Sequence, residues 1–98
     1  MDSITFSWDE KKDKINRHKH GVSFDEAKTA FADEYGRLIP DPDHYEDEDR
    51  FIFLGLSSQA KLLMVCHCYR EESDIVRIIS ARKADKAETK QYKEFRHA

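Results

Sequence analysis

Apolar and polar positions along this chain follow first a helical and then a strand period, and the switches mark its elements. Thr5-Phe6-Ser7-Trp8 is a short β-like run ending at Asp9, a residue suited to the N-cap of a helix. The helix that follows is predicted over Glu10 to Lys19 and closes at Gly21, the residue type best able to take a left-handed position. Its only apolar interior residue is Ile15, so most of its surface must be solvated or occupied by a partner. Ser23-Phe24-Asp25-Glu26 reads as a capping box, with Val22 and Ala27 spaced for a hydrophobic staple. Phe24, Ala27 and Phe31 recur at i, i+3 and i+7, a buried stripe on a second helix predicted to end between Asp33 and Gly36.

The period then changes. Arg37-Leu38-Ile39 is a short strand stopped by Pro40, and the acid-rich segment from Pro40 to Asp49 reads as an exposed loop. Arg50 to Ser57 and Leu62 to Tyr69 are strongly apolar and separated by Ser58-Gln59-Ala60-Lys61, an antiparallel hairpin. Asp74 to Ala81 supplies another strand after the charged turn Arg70-Glu71-Glu72-Ser73. Asp85-Lys86-Ala87-Glu88 starts a C-terminal helix with Tyr92 and Phe95 on one face. The predicted order is β-α-α-β-β-β-β-α. Helices and strands segregate in blocks, so the class is α+β with an antiparallel sheet, in a single domain spanning residues 1–98.

Composition narrows the classes. Apolar residues make up 39% and aromatic residues 11% of the 98 positions, enough to anchor one core despite 38% charged residues. The chain is too short for two-domain, cofactor-spanning folds. No apolar run approaches the ~20 residues of a membrane span, and the N-terminus lacks a signal-peptide pattern, so a cytoplasmic location without membrane association is expected. The net charge of −3 conceals a pattern. Residues 10–20 hold five Lys/Arg against two acids, residues 77–98 seven against three, and residues 23–50 three against ten. Basic ends flank an acidic middle, and those local fields bear on partners more than the total does.

Few residues suggest chemistry by themselves. His18, Lys19 and His20 close the first helix, where cations face the negative end of its dipole; an RNA phosphate site or a general acid/base is the functional alternative. Cys66 and Cys68 are expected on opposite faces of their strand and unbridged, in keeping with a reducing compartment. Cys66-His67-Cys68 does not make a zinc site, since structural zinc takes four ligands, usually with Cys-x-x-Cys spacing. His67 shares its strand face with Val65 and Tyr69, as a catalytic candidate or a satisfied core histidine. Arg77, Arg82 and Lys83 bracket the last strand. Alternation separates Arg77 from Arg82 unless a bulge re-aims one of them.

Taken together, Phe6-Ser7-Trp8-Asp9, the N-x-x-KHG-V-x-F block from Asn16 to Phe24, Asp41-Pro42-Asp43-His44, Arg50-Phe51-Ile52 and the block from Arg77 to Ala84 resemble the BrnT family. These are small bacterial toxins of type II toxin–antitoxin modules, and the resemblance runs from about Phe6 to Tyr92. It implies a RelE-like fold and ribonuclease activity that arrests translation. It also implies a hetero-oligomer with a BrnA-type antitoxin, whose ribbon-helix-helix part binds operator DNA so that the complex represses its own operon. The family pattern covers Lys19, His20, His67, Arg77 and Arg82; the departure is Cys66-His67-Cys68-Tyr69, where β-branched or threonine neighbours are expected.

The chemistry implied is cleavage of RNA by its own 2′-hydroxyl, without metal or cofactor. His67 and His20 are the acid/base candidates, and Arg77 and Arg82 the phosphate clamp. Lys19, Lys12 and Lys83 are the candidates for holding the RNA backbone. The alternatives are a ParE-like toxin that poisons gyrase without cleaving RNA, and a non-enzymatic corepressor module.

Overall fold

The computed structural model describes residues 4–41, 50–70 and 74–97. Most of the expected acidic loop (42–49) and of the charged turn after Tyr69 (71–73) lies outside these residues. The elements run β1 (Thr5–Ser7), α1 (Glu10–His20), α2 (Phe24–Thr29) with a 3₁₀ turn (Ala30–Ala32), β2 (Arg37–Pro40), β3 (Arg50–Leu56), β4 (Leu62–Arg70), β5 (Ile75–Lys83) and α3 (Lys86–Arg96). This is the predicted order.

The sheet has five strands in the order β1-β5-β4-β3-β2. Its pairs are antiparallel except one: β1 runs parallel to β5, with Phe6 opposite Val76. The expectation of a purely antiparallel sheet is thus corrected at one edge. The helices between β1 and β5 carry the chain back across the sheet, which lets two distant strands lie side by side in the same direction.

One sheet face packs Leu63, Val65, Ile78 and Ala81 against Val22, Phe24, Ala27 and Ala30, with Phe6, Trp8, Phe31 and Phe53 around them. The staple pair Val22 and Ala27 are both inside this core. The 3₁₀ turn comes so close to β3 that a Cβ on Gly55 would lie 2.7 Å from the Ala30 carbonyl oxygen. The opposite face is covered by α3, whose Tyr92 joins Leu54 and Met64 in a second cluster. The Tyr92 hydroxyl donates to Asp33 Oδ2 at 2.5 Å, tying α3 to the end of the 3₁₀ turn. All three helices are capped by their preceding residue. Ser23 Oγ accepts from the Glu26 N–H, but the reciprocal half of that capping box is not made. The buried Glu26 carboxylate instead accepts from Ser57 Oγ at 2.8 Å and lies 3.7 Å from Lys61 Nζ, locking the β3–β4 turn. The box at Asp85 and Glu88 is complete.

α1 is attached by polar groups. Ile15 is 63% exposed, whereas Asp13 and Asn16 are buried. β1 pairs with β5 only as far as Arg77, so the outer edge of β5 is open beyond it. Asn16 closes that edge: its Nδ2 donates to the Ala81 and Val22 carbonyls, both at 2.8 Å, and its Oδ1 accepts from the Ala81 N–H at 3.1 Å. Asp13 Oδ1 accepts from the Phe24 N–H at 2.8 Å. Gly21, at φ 71°, turns the chain between the two attachments.

Replacing Asn16 with Asp keeps an acceptor for Ala81 but sets a carboxylate against two carbonyls. We expect a loss of about 3 kcal/mol, from unsatisfied buried groups of ~1–3 kcal/mol each. Melting should fall by roughly 10 °C or more. Ile15→Ser, at the exposed apolar position, should change stability by no more than ~0.5 kcal/mol. Thermal melts of the two variants test the ordering; equal losses would mean that α1 is held by its apolar residue after all.

Candidate active site

α3 crosses only part of the second sheet face. The uncovered part, between the end of α1 and β3, is a cleft of about 330 Å³. Its floor is Ile52, Met64, Cys66 and Ser80, and its walls include His20, Asp41, Arg50, Ile79 and Arg82.

A bulge decides which residues of β5 share the face of this floor. Cys66 pairs with Ser80 but His67 pairs with Ile78, so β5 carries one extra residue at Ile79 while β4 stays regular against β3. The extra residue reverses the alternation along β5. Arg77 (opposite Cys68), Ser80 (opposite Cys66) and Arg82 (opposite Met64) therefore share one face. The opposite faces expected of Arg77 and Arg82 without a bulge are not observed. Cys66 and Cys68 also share this face, contrary to the expectation that their spacing separates them, because side chains two apart on a strand point the same way.

His20 is the last residue of α1, placed on the cleft wall by the attachment of Asn16 one turn earlier. A smaller hollow of about 160 Å³ between α1 and the bulge adjoins the cleft, shares His20, Ile79 and Ser80 with it, and is also lined by Lys12 and Lys19. The Arg82 guanidinium is bound by Glu88 of α3 through two 2.9 Å hydrogen bonds, and its Nη1 also donates to the Lys83 carbonyl. This pairing pushes the Arg82 pKa up and holds the Glu88 carboxyl below the usual glutamate range. On the far wall, Cys66 Sγ donates to Asp41 Oδ2 at 3.5 Å. Burial, and then the Asp41 charge, push the Cys66 pKa to about 11, so it is a neutral thiol at physiological pH and not a nucleophile.

His67 is elsewhere. It lies on the core face, fully buried, with Phe31 edge-on at 4.9 Å. Its Nδ1 is 3.0 Å from the Val65 carbonyl and its Nε2 is 3.3 Å from the Tyr69 hydroxyl. A carbonyl only accepts, so Nδ1 carries the proton and Nε2 accepts from Tyr69. The ring is thus the satisfied core histidine of the two sequence readings, with the sheet between it and the cleft. Lys83 is exposed and pairs with Leu63, on the side of the sheet away from Arg82. Of the sequence-predicted residues, the fold brings His20, Arg82, Lys12 and Lys19 together, sets Arg77 on the same face toward β1, and leaves His67 and Lys83 apart.

Sequence reasoning did not single out Arg50, Asp41 or Ser80 as site residues, although each lies in a block that carried the family resemblance. Among the described residues no three His, Cys, Asp or Glu side chains gather in a metal-binding cluster, and no helix is long and apolar enough to cross a membrane.

Residues 8–88 match the family described as the ribonuclease toxin, BrnT, of type II toxin–antitoxin systems. The chain belongs to the BrnT family. The crystal structure of the Brucella abortus ribonuclease toxin BrnT superposes with a TM-score of 0.66 at 22% identity, covering 86% of this chain and 100% of that one. The two share the fold of five strands and three helices. No curated protein sequence matches the chain. The cleft and the bulge therefore belong to a ribonuclease toxin of a type II toxin–antitoxin system.

The core histidine of this BrnT-family chain makes stability depend on pH. Burial holds the folded-state pKa of His67 below its ordinary 6.5, so the unfolded chain binds the proton more tightly. The stabilisation is complete above pH 6.5 and is lost as pH falls below it. Asp33 and Glu88, whose pKa values are also depressed, act in the same direction only near and below pH 4. Melting temperature from pH 8 to 5 should decline below 6.5 in the parent, while His67→Gln, though less stable throughout, should show a flatter profile. Parallel profiles would remove His67 as the titrating group.

Proposed function

We propose that the cleft cleaves RNA without a metal ion, by attack of the 2′-hydroxyl on the adjacent phosphate. The observation that carries this reading is the convergence of one imidazole, His20, and two guanidinium groups, Arg50 and Arg82, on a single concave stretch of sheet. His20 removes the 2′-hydroxyl proton, the 2′-oxygen bonds to phosphorus, and the bond from phosphorus to the 5′-oxygen breaks. Water entering the cleft protonates the departing 5′-oxygen. The products are a 2′,3′-cyclic phosphate and a 5′-hydroxyl end. Arg82 and Arg50 stabilise the charge gathering on the non-bridging oxygens, and a guanidinium fork matches two of them. Arg77, on the same face, extends the cationic surface towards β1. Lys12 and Lys19, in the adjoining hollow, hold the backbone of the same strand. His67 has no part in proton transfer in this reading, because the sheet separates it from the phosphate.

The neutralising partner in this proposal is a BrnA-like antitoxin with a ribbon-helix-helix portion through which the pair binds operator DNA and represses its own operon. Lys11, Lys12, Lys14, Arg17 and Lys19 lie exposed on α1, and Lys86, Lys90 and Lys93 on α3. An acidic antitoxin segment laid across these faces would pair the charges and cover the hollow beside the cleft.

Incubation of the purified protein with RNA in EDTA tests the chemistry. New ends should carry cyclic phosphate, and 2′-deoxy substitution at the scissile position should abolish them. His20→Gln and Arg82→Ala should each slow cleavage by about 10²–10³, the usual cost of removing an acid/base or charge-stabilising group. Arg77→Ala should weaken it less, and His67→Gln should cleave at the parental rate below its melting range. Loss of activity on EDTA treatment, or full activity of His20→Gln, would refute the assignment. The antitoxin reading predicts an association rate that falls steeply with sodium chloride and with Lys12→Glu/Lys14→Glu. A rate indifferent to both would place the antitoxin on another surface.

A further inference from the structure

We infer that Glu88 is a positioning residue for the cleavage reaction, holding Arg82 by the end of its guanidinium so that the side edge is turned to the RNA phosphate. This rests on the cleft being the catalytic site. A guanidinium has five N–H donors. Three are committed: Nη1 and Nη2 to the two oxygens of Glu88, and the second hydrogen of Nη1 to the Lys83 carbonyl. The two that remain, on Nε and Nη2, are parallel and adjacent. They form the other fork a guanidinium offers, the spacing that takes two phosphate oxygens.

Glu88 can act as a fixed anchor because it is itself held. Its Oε1 accepts from the backbone N–H of Asp85 at 2.9 Å, a bond that does not involve the Asp85 side chain, so the backbone at the start of α3 fixes the carboxylate. The Glu88 side chain is 18% exposed, against 43% for Arg82, so the anchor is the better buried of the two. Without it the arginine side chain would sample several rotamers in water, and bringing it to the phosphate would cost conformational entropy at each turnover.

The alternative is a salt bridge that merely fastens α3. Cleavage by the parent, Glu88→Gln, Arg82→Ala, the double variant and Asp85→Ala separates the two. Positioning predicts that Glu88→Gln lowers kcat by about 10-fold, within the up to 10²-fold expected of a misplaced group, and changes kcat less than twofold when Arg82 is already Ala. Asp85→Ala breaks the cap but leaves the Arg82 pairing. It should melt roughly 5 °C lower and keep the parental kcat. An equal fall in kcat for Glu88→Gln in both backgrounds, or parental kcat for Glu88→Gln while Arg82→Ala is impaired, would overturn the inference. Parental activity of Arg82→Ala would instead overturn the cleft itself.

Discussion

The Asn16 amide is the constraint on which the rest of this structure depends. β5 needs a hydrogen-bonding neighbour on its outer side, and β1 is too short to supply one past Arg77. A side-chain amide can do what a strand backbone does, donating to one carbonyl and accepting from one N–H of the same residue. Asn16 does this with Ala81, and its second Nδ2 hydrogen takes the Val22 carbonyl. No apolar side chain could close the edge, because buried backbone groups without partners cost more than an extra methyl group gains. This explains how a helix with its only apolar interior residue turned to solvent can still be rigidly attached.

The same clamp places chemistry. His20 lies one turn beyond Asn16, so whatever fixes Asn16 against β5 also fixes the imidazole at the rim of the cleft. On the other side of Ala81 the bulge at Ile79 reverses the alternation of β5 and gathers Arg77, Ser80 and Arg82 onto the open face. Clamp and bulge lie close together on opposite edges of β5: Asn16 bonds Ala81 on the outer edge, and the bulge two residues earlier shifts the register against β4.

The two sheet faces then divide the polar residues by environment. The core face takes His67 as a neutral ring with both nitrogens used, and burial weights it against carrying charge. The open face takes the permanently charged arginines, with Arg82 paired to the Glu88 carboxylate. Net charge plays little part in this. A chain of −3 can still bring His20 and Arg82 from its two basic ends into one cleft, where they meet Arg50 and Asp41 of the acidic middle.

Local signals carried the elements. The caps at Asp9, Ser23 and Asp85, the left-handed Gly21, the turn at Ser58–Lys61 and the strand runs each depend on neighbours a few residues away, so they were legible in the sequence. The BrnT-like blocks were legible for the same reason, and with them the candidacy of His20 and Arg82. What the sequence could not decide was contact across distance. The parallel pairing of β1 with β5, the diversion of Glu26 from its capping box to Ser57, and the burial of Asn16 all join residues tens of positions apart. So does the choice between two histidines. His20 and His67 are both ordinary imidazoles in the sequence, and only the side of the sheet on which each falls puts one in a cleft beside arginines and the other among phenylalanines. A single extra residue at Ile79 does the same for Arg77 and Arg82, because a register shift of one residue decides which face a strand side chain occupies.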